Sequence, residues 1–190
     1  MIPGDAISVA VRVGDIHDRI GVQYTIGGSI AASLAGEPRA TIDIDMVAVL
    51  GHADVAPLLT ALGDDFYASA DALHRAIDQL GSVNLIDNTT SIKVDVFIAG
   101  GTPLDEQQLS RRKRIEIRPG QAIYVHPPED ILLQKLRWFR KGGERSDRQW
   151  RDIIGIIRTQ GERLDRTYLV ANAPVIEVAP LLDRALHEAG

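Results

Sequence analysis

Two apolar runs in this 190-residue chain each carry acid: Asp43 and Asp45 within Ile42–Leu50, and Asp95 within Ile92–Ile98. In an extended strand successive side chains point to opposite faces. Asp43 and Asp45 therefore share one face, their alpha carbons roughly 6.5–7 Å apart, while Ile42, Ile44 and Met46 take the other. In the second run Lys93 and Asp95 share a face, opposite Ile92, Val94, Val96 and Ile98. If the two strands are neighbours, three carboxylates meet. Such a set suits two magnesium ions, one held with nucleotide phosphates and one activating an incoming hydroxyl. Taken singly, Asp-x-Asp also reads as a plain surface strand, and Lys93/Asp95 as an exposed ion pair.

Upstream of the acidic pair lies Gly27-Gly28-Ser29. Two glycines permit close backbone approach, and Ser29 can cap a following helix whose N-terminus would accept a phosphate. By itself the triplet also reads as an ordinary strand-to-helix turn. No Lys-Ser/Thr follows at Walker A spacing, and the pattern is not a dinucleotide fingerprint. Further on, Lys135 sits among Ile131, Leu132, Leu136 and Phe139 at helical steps, so it lies within or beside an apolar face. There it either snorkels or reaches a phosphate in a cleft. Asp152 is one helical turn from Arg148 and can pair with it. His126, ahead of Pro127-Pro128, reads as a loop or hinge residue. The histidines show no HxxxH or comparable transition-metal spacing, and no nucleophile elbow is present.

The elements that must position these groups follow from periodicity. Helices are expected over residues 6–20, 29–35, 55–62, 70–80 and 104–111, and strands over 23–26, 41–50, 83–86, 91–98, 114–117 and 122–125. Asp87-Asn88 supplies a turn, and Gly36 and Gly81 stop helices. After Pro127-Pro128 the chain reads as helix throughout, over 129–141, 147–159, 165–172 and 176–188. The expected layout is a mixed α/β core over residues 1–125 with a helical region over 126–190 packed on it.

Composition limits the possibilities. With 45% hydrophobic and 25% charged residues the chain is an ordinary globular one, long enough for one sizeable core. Apolar runs are too short to span a bilayer, and the N-terminal stretch lacks the basic and apolar regions of a secretory leader. The absence of cysteine excludes disulfides and thiolate chemistry. A cytoplasmic location is therefore expected. A net charge of −5 gives no global attraction to nucleic acid. Two basic clusters, Arg111–Arg118 and Lys135–Arg151, contrast with the acidic first half; they suit a polyanionic substrate or form solvated helix faces.

In this order, IGGSIAASLAGEPRATIDIDMVAVL, SIKVDVFIAG and PPEDILLQKLRWFRKGGERSDRQWRDIIGI resemble a minimal nucleotidyltransferase, and most closely the AbiEii-like group, which includes toxins of toxin–antitoxin pairs. The likeness spans most of residues 20–158. It implies an α+β, DNA polymerase β-like fold: a mixed β-sheet flanked by helices and followed by a C-terminal helical region. It places Gly28 and Ser29 at the nucleotide phosphates, Asp43 and Asp45 on metal, and Asp95 as the third carboxylate, acting on the attacking hydroxyl. Lys135 and Asp152 match the helical motif that contacts the nucleotide, and Arg39 and Thr41 match the stretch before Asp-x-Asp. The implied cofactor is Mg2+, in two ions, and the implied substrate an NTP. The acceptor is left open among RNA, protein and a small molecule; an antitoxin partner is implied for the toxin case, and neither membrane nor DNA. The chain is short for the group, whose extra C-terminal helices would serve a macromolecular acceptor.

Overall fold

The computed structural model describes residues 4–35, 43–100 and 103–190. Gly36, Arg39, Thr41 and Ile42 lie outside the described residues. Seven strands form one mixed sheet in the order β3-β4-β5-β2-β1-β7-β6. They are β1 (Tyr24–Ile26), β2 (Ile44–Ala48), β3 (Phe66–Tyr67), β4 (Ser82–Asp87), β5 (Lys93–Ile98), β6 (Lys113–Arg118) and β7 (Gln121–Val125). The two-residue β3 is the one strand that periodicity does not announce; it is too short to show alternation. At the centre, β2 runs parallel to β5 and antiparallel to β1, while β1 runs parallel to β7.

Alternation decides which face of the sheet goes inward. Ile44, Met46 and Ala48 of β2 and Val94, Val96 and Ile98 of β5 are buried, with partly exposed residues between them. They join a core completed by α1 (Gly4–Arg19), α3 (Val55–Leu62) and α4 (Ala70–Gln79). Each fully buried aliphatic side chain contributes roughly 1.5–3 kcal/mol relative to exposure. The opposite face of the same strands carries Asp45, Val47 and Phe97 towards a cavity, and Asp95 beside Asp45.

The remaining helices are α2 (Gly28–Ala35), α5 (Pro103–Ser110), α6 (Pro128–Lys141), α7 (Asp147–Gln160), α8 (Arg166–Asn172) and α9 (Ala179–Ala189). Helices α6 to α9 enclose a second apolar cluster around Leu132, Leu133, Leu136, Phe139, Ile153, Leu169 and Leu182. Ser146 caps α7 by accepting from the Gln149 amide, and Asp165 caps α8 by accepting from that of Tyr168. The last helix begins at Ala179, later than its apolar pattern suggests, because Pro180 fits its first turn. Between the clusters, Ala31, Ala32 and Ala35 of α2 pack against Ile131 of α6 and Ile156 of α7. Three alanines on one helix face let α6 and α7 come close. Among the described residues no helix is long and apolar enough to cross a membrane.

A polar clamp fastens the helical part. The wholly buried Asp130 accepts from the Tyr168 hydroxyl at 2.5 Å and from Arg111 Nε at 3.3 Å, and Arg111 also donates to Glu129 at 3.2 Å. The Arg111 guanidinium lies over the Tyr168 ring, 3.8 Å from its centroid. Burial pushes the Asp130 carboxyl up to about 6, against the opposing pull of Tyr168 and Arg111. A carboxyl raised in the folded state binds its proton more readily folded than unfolded, so its contribution to stability shrinks as the pH rises through that range. The stability of Asp130→Asn relative to wild type should therefore increase as the pH goes from about 4 to about 7, as read from urea midpoints.

Candidate nucleotide and metal site

Four adjacent strands bring their functional groups to one end of the sheet. Asp45 of β2 and Asp95 of β5 are direct partners in the parallel register. Next along, the Gly27 amide donates to the Asp45 carbonyl at 2.9 Å where β1 ends. One strand further, the His126 amide donates to the Ile26 carbonyl at 3.1 Å, which sets His126 beside Gly27. Asp95, Asp45, Gly27 and His126 thus form a row at successive strand spacings of about 4.8 Å.

Local chemistry reflects this crowding. Burial, foremost, and then the Asp95 and Asp43 charges raise the Asp45 carboxyl above its ordinary value; the Ser29 backbone N–H and Lys135 act in the opposite direction. The Ser29 amide, at the start of α2, is therefore already turned towards a carboxylate. Gly28 has a φ of 54°, and a Cβ there would overlap the Asp45 side chain. Glycine is required at this position both for its backbone conformation and for the approach of Asp45. Lys93 Nζ pairs with Asp95 Oδ2 at 2.9 Å, which is the ion pair the sequence offers as the plain reading of that strand.

Helices α6 and α7 form the facing wall. Lys135 Nζ donates to Asp152 Oδ2 at 2.7 Å, and both side chains are nearly buried, with 10% and 12% exposure. Asp152 thus reaches across to α6, a contact between helices that spacing within α7 does not reveal. Together with Gly28, Ser29 and Asp45, this pair lines a cavity of ≈ 930 Å³. Arg137, Lys141 and Arg148 add positive charge to its wall, and Trp138, about half exposed, lies 6.2 Å from the Phe97 ring.

Asp43, Asp45 and Asp95 supply the oxygen donors a hard divalent cation prefers. A cation would also relieve the like-charge strain that raises Asp45. Among the described residues, however, no three carboxylate or imidazole side chains stand grouped around a single point as a metal would require; Asp95 is engaged by Lys93 and Asp45 faces the Ser29 amide. The donor set fits such an ion in kind, with Asp45 and Asp95 as register partners, but not as a ready-formed cluster.

Two cavity residues escape the sequence reading. His126, expected in a loop or hinge, is 4% exposed and lines the cavity, as does Gln108 of α5 at 2% exposure. The sequence signal was slight: a histidine closing an apolar strand, and a glutamine in a short polar helix.

No family model matches the sequence, and no curated protein matches it at significant similarity. Solved structures do resemble the fold. An antigenic nucleotidyltransferase-like protein from Paracoccidioides brasiliensis aligns with a TM-score of 0.60 at 22% identity, over 97% of this chain and 93% of that one. The antibiotic-resistance factor ANT(2'')-Ia aligns at 0.55 and 12% identity over 97% and 99%; another of its structures, in complex with adenylyl-2''-tobramycin, gives 0.55 and 11% over 90% and 96%. JHP933 from Helicobacter pylori aligns at 0.53 and 14% over 98% and 88%. At these identities the likeness shows the fold: the chain has the nucleotidyltransferase fold, an α+β architecture with a C-terminal helical region.

Gly28→Ala should lose roughly 1–3 kcal/mol of folding free energy, read by urea denaturation, through left-handed backbone strain and displacement of the Asp45 side chain.

Proposed function

We propose that this chain is a magnesium-dependent nucleotidyltransferase that moves a nucleoside monophosphate from an NTP to a hydroxyl acceptor. The observation that carries this reading is that Asp45, register partner of Asp95, lines one cavity together with the Gly28-Ser29 turn and the Lys135–Asp152 pair. Asp43, Asp45 and Asp95 would hold the metal, which when bound neutralises triphosphate charge and lowers the acceptor hydroxyl's pKa. Gly28 and Ser29 present the start of α2 to the phosphates, and Lys135 adds a charge that Asp152 holds in place. Asp95 takes the acceptor's proton; a new acceptor O–Pα bond forms as the bond from Pα to the bridging oxygen breaks, and pyrophosphate leaves. Rate enhancement in such chemistry comes from positioning and charge neutralisation.

A small-molecule acceptor is supported by the alignment with ANT(2'')-Ia over nearly the whole of both chains and by a cavity of ≈ 930 Å³, within the usual range for small-ligand sites. A toxin of a toxin–antitoxin pair is the same chemistry with RNA or protein as acceptor. Expression that halts growth, relieved by a neighbouring gene product, would mark that role. A cytoplasmic setting fits the supply of NTP and magnesium.

Asp43→Ala and Asp45→Ala should each lower label transfer from NTP at least 100-fold in an assay of magnesium-dependent pyrophosphate release, a scale typical of removing electrostatic stabilisation. Wild-type transfer rates in either variant would overturn the assignment. NTP binding with no pyrophosphate release from any acceptor pool would instead identify a binding module. Magnesium should also raise the melting temperature of the wild type more than that of Asp95→Asn, because the variant removes one ligand and the repulsion the ion relieves.

A further inference from the structure

Away from the carboxylate cavity, a surface cluster of metal-ligating side chains takes no part in the chemistry described above. His52 follows β2 in the 3-10 turn His52–Asp54, and both its ring nitrogens face residues of α4. Its Nδ1 lies 2.8 Å from Nδ1 of His74, and its Nε2 lies 3.0 Å from Oδ1 of Asp78. His74 and Asp78 stand one helical turn apart, so α4 presents both on one face. The side chains of His52 and Asp78 are more than half exposed, so an ion in solution can reach them. None of the three residues lines the cavity. Spacing along the chain does not announce the pair, because 22 positions separate the two histidines.

Hydrogen-bond chemistry fixes where the protons sit. A carboxylate oxygen accepts, so His52 Nε2 carries the proton and donates to Asp78, and the lone pair of the neutral ring is on Nδ1, facing His74. That is the arrangement of a metal-ligating histidine, whose second nitrogen donates to a carboxylate that fixes the tautomer and raises the ring's basicity. The His52 lone pair is met by the N–H at His74 Nδ1. Moving that proton to His74 Nε2 gives its Nδ1 a lone pair as well, with no net loss of protons. Two nitrogens held by one ion at about 2.0–2.1 Å and at a right angle stand about 2.8–3.0 Å apart, whereas a tetrahedral ion spreads them to about 3.3–3.4 Å. The observed 2.8 Å matches the right angle, which is the ligand angle of square-planar and tetragonal nickel(II) and copper(II). No third such ligand completes a group among the described residues, so water fills the other positions. We propose that His52 and His74 form a two-imidazole site for nickel(II) or copper(II), oriented by Asp78, which clips the segment leaving β2 to α4.

Titration of the whole chain with nickel, zinc or copper chloride, with excess magnesium present to fill oxygen sites, tests this. Copper(II) is paramagnetic, and substoichiometric amounts should broaden the ring resonances of His52 and His74 before those of His17, His126 and His187, a readout independent of any variant's folding. In calorimetry Asp78→Ala should bind nickel roughly tenfold more weakly, the low end of the effect of removing an outer partner. His52→Gln and His74→Gln, each lacking a ligand, should lose more than that. Zinc should bind the wild type more weakly than nickel does, since the nitrogen spacing is too short for a tetrahedral ion. Copper that broadens all five histidines alike, nickel affinity retained in either histidine variant, or zinc bound as tightly as nickel would each overturn the site. None of these outcomes bears on the transfer reading, because His52, His74 and Asp78 lie outside that cavity.

Discussion

The parallel register that sets Asp45 beside Asp95 is the constraint around which this molecule is arranged. Two carboxylates on neighbouring strands repel, and the apolar residues flanking them leave little water to screen the repulsion. The register nevertheless cannot slip. Moving either strand by one residue would turn Ile44, Met46, Val94 and Val96 out of the core and bury the acids in their place. Hydrophobic burial over several residues thus outweighs the repulsion of one acidic pair and holds it in place. The surroundings partly compensate, through the Ser29 amide, Lys93 and the nearby charge of Lys135.

Helix α2 ties that acidic edge to the rest of the molecule. Its first residues form the turn against Asp45, and its last turn packs its alanines onto Ile131 and Ile156. The same short helix therefore touches the carboxylate strand at one end and the helical layer at the other. Because α6 and α7 dock on it, the Lys135–Asp152 pair faces the sheet edge at a fixed separation. Solved structures of the nucleotidyltransferase fold align over nearly the whole of this chain, both sheet and helical layer included.

The cavity between these layers sets acid from the sheet against basic side chains from the helices. Asp45 and the Gly28-Ser29 turn line it from the sheet side, Lys135, Arg137, Lys141 and Arg148 from α6 and α7, and the buried His126 and Gln108 also belong to its lining.

Periodicity alone was enough for most elements. The alternation in residues 92–98 and the helical spacing around Lys135 follow from how side chains leave a strand or a helix, and those local rules survive folding. The faces of Asp45 and Asp95 were legible for the same reason, as was the turn at Asp87, whose carboxylate accepts from the Thr89 and Thr90 amides. Pairing partners were not legible. That β2 lies against β5, that Asp152 reaches Lys135, and that His126 is buried beside Gly27 all depend on contacts between segments distant in sequence. A histidine before two prolines has the local signature of a loop, and its burial beside Gly27 follows from the pairing of β7 with β1. The sequence by itself determined which residue types and faces could do chemistry, because those are local properties. Tertiary structure alone decided that Asp45 and Asp95 become register partners and that Asp152 reaches Lys135, because strand order and helix docking are set by the whole core.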